Sequence, residues 1–186
     1  MKKSFILIII LLFVSKSGAQ NLIEVALTNQ SLLVNEKPAK PKLPYFVLYE
    51  KDFFKGKSKL DSLSIQELIA KIDTVEIDYT KWAKSELNNR ILVSEGVKID
   101  FDIEITNFFN KSKEEKKKLK KEINSFNNEK SGWRNYPVSI SRPIITNAGN
   151  MAFITIIRGN SGRSSLLFKF ENGKWEYYDY LERWAY

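Results

Sequence analysis

Asn172 and Gly173 form the sequence feature that most constrains the fold of this chain. Both central residues of a two-residue type I′ hairpin turn need a positive φ, and Asn followed by Gly tolerates it best. The flanking segments 164–171 and 174–180 are rich in aromatic residues and are typical of strands. The sequence therefore predicts a β-hairpin close to the end of the chain.

A two-residue loop also fixes which residues of the hairpin face each other. The predicted cross-strand pairs are Glu171–Lys174, Phe170–Trp175, Lys169–Glu176 and Phe168–Tyr177. Because side chains alternate between the two faces of a strand, Leu166 joins the four aromatic residues on one face. We expect that face to be buried and the opposite face to carry pairs of opposite charge.

Three further strands are predicted ahead of the hairpin, at residues 137–141, 142–146 and 151–158. Turn-forming residues at 147–149 and 159–162 separate them from one another and from the hairpin. The third of these segments carries apolar residues on both faces, which is typical of a central strand covered on both sides.

Two helices are predicted from capping boxes, at Ser64 with Glu67 and at Ser112 with Glu115. Apolar residues follow at helical spacing: Ile65, Leu68, Ile69 and Ile72 in the first, and Leu119, Ile123 and Phe126 in the second. The predicted fold class is α+β, with an antiparallel C-terminal sheet of about four to six strands packed against two or three helices.

The rest of the chain carries further patterns. Residues 75–79 and 97–106 alternate as half-buried strands do, and residues 82–87 favour an additional helix. Residues 22–34 fit either a strand pair or a short helix, and both alternatives stay open.

The N-terminal residues have the pattern of a secretory signal peptide. Two lysines precede an apolar run at residues 5–14, and the small residues at 17–19 suit a signal peptidase. Ten apolar residues form about 15 Å of helix, half of the hydrocarbon core of a bilayer. We therefore expect residues 1–19 to be cleaved and residues 20–186 to form one exported domain, periplasmic or secreted.

The chain contains neither cysteine nor histidine, and this excludes several classes of site. Without a thiol or an imidazole there is no Ser-His-Asp triad, cysteine nucleophile, His- or Cys-ligated zinc, haem attachment or disulfide. We predict no cofactor and no metal, and a non-enzymatic binding or interaction protein of unknown ligand.

Three carboxylates support an alternative function. Asp100, Asp102 and Glu104 alternate along the predicted strand at 97–106, so neighbours on one face lie about 7 Å apart. That spacing falls within the range of about 6.5 to 9.5 Å between the carboxylates of inverting glycosidases. The alternative is thus a carboxylate-dependent hydrolase acting on an envelope polysaccharide.

Aromatic and guanidinium side chains supply the candidate ligand site. Flat rings and forked donors suit carbohydrate, carboxylate or phosphate groups. The predicted ligand-binding residues are Trp133, Arg134, Arg142, Arg158, Arg163 and Trp184. The expected partner is a small molecule, a glycan or a protein of the cell envelope.

The basic excess of the chain is concentrated in one helix. The full sequence has a formal net charge of +8, and residues 111–122 hold seven lysines against three glutamates. The predicted polyanion patch consists of Lys113, Lys116, Lys117, Lys120 and Lys121. A single basic helix favours a weak, salt-sensitive contact with an anionic surface, and no specific nucleic acid is expected.

Three short motifs occur in the C-terminal region: SRPI at residues 141–144, GNMAF at 149–153 and FENGKW at 170–175. With these motifs the chain resembles small exported bacterial proteins that are uncharacterised. The resemblance implies the C-terminal sheet, and it brings neither a known activity nor catalytic residues. Members often have cysteines in the Gly-rich loop, which here spans residues 159–162 and has none.

Overall fold

The computed structural model describes residues 22–28, 30–43, 62–74, 76, 78–87, 89–94, 105–130, 136–159 and 162–185. The predicted signal peptide at 1–19 lies outside the described residues, as does the predicted strand as far as residue 104.

The helices and strands alternate irregularly along the chain. Their bounds are α1 (residues 22–27), β1 (Leu33–Asn35), α2 (Ser62–Thr74), β2 (Ile91–Val93), a 3₁₀ turn (Ile105–Phe108), α3 (Lys113–Lys130), β3 (Ser139–Ile140), β4 (Ile144–Ile145), β5 (Met151–Ile157), β6 (Gly162–Glu171) and β7 (Lys174–Ala185).

The last five strands form the main sheet, which is antiparallel throughout. β5 occupies its centre: β3 and β4 pair with successive parts of one edge of β5, and β6 pairs along the other. β7 pairs with β6 on the outer side. The predicted α+β fold with a C-terminal antiparallel sheet is therefore confirmed.

The hairpin of β6 and β7 has the predicted register around its turn. Phe170 lies opposite Trp175, and the other three predicted pairs also form. Asn172 and Gly173 have φ values of 52° and 78°. Both values lie in the left-handed region that a type I′ turn requires.

The prediction that all four aromatic residues of these pairs are buried is wrong. Phe168 and Trp175 are buried, whereas Phe170 and Tyr177 are exposed. The core cluster that covers this face includes residues of α1 together with Trp82, and it takes in only the two buried rings of the four. The cover of this face thus reaches Phe168 and Trp175 and leaves Phe170 and Tyr177 exposed.

A small parallel sheet of β1 and β2 extends the main one. β1 lies between β2 and β3: the Asn35 amide donates to the Val138 carbonyl at 2.9 Å, and the Val138 amide donates to the Leu33 carbonyl at 3.0 Å. These bonds join an N-terminal strand to the C-terminal sheet. The open question about residues 22–34 is thereby answered, because α1 is a short helix and β1 a single strand.

Apolar side chains cover both faces of the main sheet. One face, with Ala152, Ile154 and Phe168, packs against α1. The other face, with Phe153 and Leu167, packs against α2. The burial of β5 on both faces confirms that it is the central strand.

The third helix packs on the small sheet rather than on the main one. Leu119 and Ile123 of α3 are buried against Leu33 and Val93. The capping box at Ser112 forms as predicted: the Glu115 amide donates to Ser112 Oγ at 3.3 Å, and the Ser112 amide donates to Glu115 Oε2 at 2.9 Å.

Other local predictions are wrong. α2 begins at Ser62, so Ser64 lies inside the helix, and Glu67 accepts from the Asn147 amide of the β4–β5 turn instead of closing a capping box. Ile105–Phe108 is a 3₁₀ turn, so the predicted strand at 97–106 does not extend over its last two positions.

The segment before β2 also differs from its predicted structure. Residues 76 and 78–83 form no strand, and residues 84–86 form a turn in place of a helix. The turn is closed by the Glu86 amide, which donates to the Ala83 carbonyl at 2.9 Å, and by Glu86 Oε2, which accepts from the Ala83 amide at 2.8 Å.

Candidate binding surfaces

The exposed aromatic residues of β6 and β7 form the first candidate surface. Phe170, Tyr177 and Tyr180 are 40%, 53% and 43% exposed, and the strand register places all three on one face of the hairpin. We call this set the aromatic face. Large exposed aromatic residues on one rigid element are a common feature of binding surfaces.

Two of the exposed rings lie beside a buried ring on the same face of the hairpin. The Phe170 ring lies 5.1 Å from the Trp175 ring, with an angle of 57° between their planes. The Tyr177 ring meets the Phe168 ring edge-on, with centroids 6.2 Å apart and planes at 82°. Since Phe168 and Trp175 belong to the core, they restrict the orientations of the Tyr177 and Phe170 rings.

Tyr180 reaches this face because the hairpin register shifts. An unbroken register would put Tyr180 on the face opposite Tyr177. The register shifts between Leu167 and Phe168, which adds one residue to β7, and Tyr180 consequently pairs with Leu166. An extra residue in one strand is a β-bulge, which commonly re-aims side chains near functional sites.

Near the turn, the opposite face of the hairpin carries the predicted charged residues, but their ion pairs form along each strand and not across the two strands. Ion pairs join Lys169 to Glu171 and, at 2.7 Å, Lys174 to Glu176. The pKa of Lys174 is raised, chiefly by its hydrogen bond to Glu176 and then by the charge of that carboxylate. Near its turn, the hairpin therefore separates a charged face from an aromatic face, and farther from the turn the charged face gives way to Leu167, which is buried against α2.

Arg142, a predicted ligand residue, binds internal partners. Its Nη1 donates to Glu86 Oε1 at 2.8 Å and its Nη2 donates to the Thr80 carbonyl at 3.1 Å. Its Nε lies 3.1 Å from Asp78 Oδ2, and its guanidinium carbon lies 4.3 Å from the centre of the Trp82 ring. Arg142 thus fastens residues 78–86 to the edge of the main sheet.

Arg158 and Arg163 lie together at the turn between β5 and β6. Arg158 Nε donates to Gln30 Oε1 at 2.8 Å, and its Nη1 donates to Ser164 Oγ at 2.9 Å. Arg163 pairs in the strand register with Trp184 of β7. Three of the six predicted ligand residues therefore share one end of the sheet, and Arg142 binds a different segment.

The remaining predicted site residues lie outside the described part of the chain. They are Trp133 and Arg134, the side chain of Trp184, and the carboxylates Asp100, Asp102 and Glu104. Their predicted roles stay predictions. Within the described residues, no group of three or more His, Cys, Asp or Glu side chains could hold a metal ion.

Arg90 is a buried cation that the sequence analysis did not single out. It is 8% exposed, and it donates from Nη2 to the Leu27 carbonyl at 2.7 Å and from Nη1 to the Ser31 carbonyl at 3.1 Å. Its guanidinium also lies over the Phe126 ring at 5.2 Å. Burial lowers the pKa of Arg90, while the charge of Glu24 acts in the opposite direction. Its contacts join α1 to α3.

The predicted polyanion patch lies on the surface of α3. Lys113, Lys117, Lys120 and Lys121 are exposed and Lys116 is half-buried. The side of the helix that carries Leu119 and Ile123 packs against the small sheet. The patch forms the second candidate surface.

Among the described residues, no helix combines the length and the apolar character needed to cross a membrane. Comparison with protein families, with curated proteins and with solved structures gives no match to this chain.

Proposed function

We propose that this chain is an exported, non-enzymatic binding protein whose aromatic face contacts a glycan of the cell envelope. The observation that carries the proposal is the set of three exposed rings on one face of a rigid hairpin, at Phe170, Tyr177 and Tyr180. The N-terminal residues, with the pattern of a signal peptide, support export.

The chemistry of the exposed side chains favours a glycan. A flat ring presents an apolar face that can stack on the C–H face of a sugar, and a tyrosine hydroxyl can hydrogen-bond to sugar hydroxyls. Contacts with the buried rings of Trp175 and Phe168 restrict the Phe170 and Tyr177 rings before binding. Preorganised side chains lose less conformational entropy on binding, which favours affinity.

A triple variant tests the proposal. Replacing Phe170, Tyr177 and Tyr180 with Ala removes the three exposed rings. At about 1 kcal/mol for each stacked ring, we expect affinity for the recognised glycan to fall about a hundredfold. Binding to an array of bacterial cell-wall oligosaccharides, followed by titration of intrinsic tryptophan fluorescence, measures the change.

The matched control removes three exposed apolar side chains elsewhere. Leu63, Tyr79 and Tyr136 are 75%, 47% and 37% exposed, and their replacement with Ala should leave glycan binding unchanged. If both triple variants bind glycans as the unmodified chain does, the aromatic face is not the binding surface. Release of new reducing ends from the glycans would instead support a hydrolase.

A further inference from the structure

The five lysines of the predicted patch lie in one continuous stripe along α3. Each of these lysines, at positions 113, 116, 117, 120 and 121, has another of them three or four residues away, and residues at that spacing are neighbours on a helix surface. At 1.5 Å per residue, the stripe is about 12 Å long. We call it the lysine stripe.

Glu115 and Glu122 lie away from this stripe, whereas Glu114 lies at its border, three residues from Lys117. At 3.6 residues per turn, Glu115 and Glu122 lie on the side of the helix opposite the stripe. The buried residues Leu119 and Ile123 lie between the two sides. Glu115 is also engaged in the capping box with Ser112. Positive and negative charges are therefore largely segregated on α3, with Glu114 at the border between them.

This segregation differs from the usual pattern of a solvated helix. Oppositely charged residues at three- and four-residue spacing stabilise a helix, whereas like charges at that spacing destabilise it. Each successive pair along the stripe, such as Lys113–Lys117 and Lys117–Lys121, consists of like charges. An anionic surface placed against the stripe would neutralise this repulsion.

The composition of the stripe indicates which anionic surface fits. Clusters of four to eight basic residues on a helix typically bind anionic lipid headgroups. Readout of a nucleic acid uses forked arginines at base edges or aromatic rings that stack on bases, and the stripe contains only lysines. Because Leu119 and Ile123 are buried in the protein, α3 can lie on a bilayer without inserting.

We propose that the lysine stripe docks the protein reversibly onto a bilayer rich in anionic phospholipid. The contact is electrostatic and independent of the aromatic face. It orients the molecule with α3 towards the headgroups.

A charge-matched pair of variants of the full chain tests the docking. The stripe variant changes Lys113, Lys116, Lys117 and Lys121 to Gln. The control variant changes four exposed lysines outside the stripe to Gln: Lys40, Lys42, Lys84 and Lys118. Both variants lose the same net charge, and glutamine has nearly the helix propensity of lysine.

Co-sedimentation with vesicles measures the binding. One set of vesicles contains equal parts of phosphatidylglycerol and phosphatidylcholine, and the other contains phosphatidylcholine alone. Both sets are used at about 25 mM and about 300 mM NaCl, where charge screening differs strongly. Any affinity that comes from the apolar N-terminal run is common to both variants and is measured with phosphatidylcholine alone.

We expect the unmodified chain to bind the anionic vesicles at low salt and to lose that binding at high salt. A lysine near the membrane surface contributes about a fivefold change, so the stripe variant should lose at least about a hundredfold in partitioning. The control variant should lose less than about tenfold, through net charge alone. Circular dichroism confirms that both variants remain folded.

Three results would overturn the proposal. They are no binding to the anionic vesicles at low salt, binding that high salt does not weaken, and equal losses in the two variants. Binding of the stripe to polyglutamate without binding to the vesicles would also overturn it and would assign the stripe to an acidic protein partner.

Discussion

Arg142 shows how a single side chain can hold a segment without regular secondary structure in place. Its guanidinium contacts two carboxylates, one carbonyl and the face of Trp82, all within residues 78–86. A planar, permanently charged group with several donors can make these contacts at once. Removal of Arg142 would leave two acidic side chains without their cation and free one side of Trp82.

The Arg142→Ala variant should therefore be less stable. We expect the free energy of unfolding to fall by about 2 kcal/mol, below the loss typical of a fully buried pair because Arg142 is partly exposed. Arg142→Lys should restore only part of the loss, since an ammonium group cannot make the same forked contacts. Urea unfolding measures both variants.

Lys84 provides the control for this measurement, because it is exposed on the same segment. Replacing Lys84 with Ala should change the free energy of unfolding by less than about 0.5 kcal/mol. An Arg142→Ala variant as stable as this control would show that the guanidinium contacts contribute nothing to stability.

At the scale of elements, the β6–β7 hairpin shows what sequence can and cannot predict. The turn and its first four pairs follow from Asn172 and Gly173, because turn geometry is set locally. The register shift beyond Phe168 does not follow from these two residues, because a bulge depends on how the strand twists against its neighbours. The position of Tyr180 on the aromatic face could therefore not be predicted.

Contacts between segments that are far apart in the sequence could not be predicted either. Arg142 and its partner Glu86 are 56 residues apart, and Arg90 and Leu27 are 63 apart. The composition indicated that arginines were available, but their partners depend on the folded arrangement. The same holds for the exposed Phe170, because an alternating pattern predicts a shared face and not where the cover of that face ends.

Substitutions at Gly173 test the hairpin turn. Gly173 has a φ of 78°, and a Cβ added there would meet nothing within 4 Å. The cost of Gly173→Ala is therefore conformational, and we expect a loss of about 1 kcal/mol in the free energy of unfolding. Gly173→Asn should cost less, since Asn tolerates positive φ, and chemical denaturation distinguishes the two. If both variants were as stable as the unmodified chain, the turn would not need a positive φ at residue 173.

At the scale of the whole molecule, three carboxylates fasten peripheral segments to the rest of the protein. Glu67 links α2 to the β4–β5 turn, Asp78 lies in the segment held by Arg142, and Glu115 caps α3. The pKa of each is lowered, chiefly by hydrogen bonds: from the Asn147 amide to Glu67, from Thr80 to Asp78 and from Ser112 to Glu115.

These shifts predict a loss of stability in acid. A lowered pKa contributes stability that is present above the ordinary pKa, here 4.5 for the glutamates and 3.8 for Asp78, and that is lost as the pH falls through the lowered value. Urea unfolding midpoints should therefore decrease as the pH falls from about 6 towards 3.

Glu67→Gln should reduce this dependence on pH, because the amide cannot titrate. Glu114→Gln removes an exposed carboxylate of α3 and serves as the comparison. If the two variants show the same dependence on pH as the unmodified chain, the Glu67 contact does not stabilise the fold.

The position of β1 between β2 and β3 has a consequence for how the chain reaches its native state. Asn35 of β1 binds Ser139 of β3 through side chains 104 residues apart in sequence. A chain synthesised or exported from its N-terminus therefore leaves β1 without this neighbour until β3 has followed. Closing so long a loop costs entropy before any contact offsets it, and native pairings of this kind slow folding. The sheet around β1 is therefore complete only after residues 138–140 have joined it.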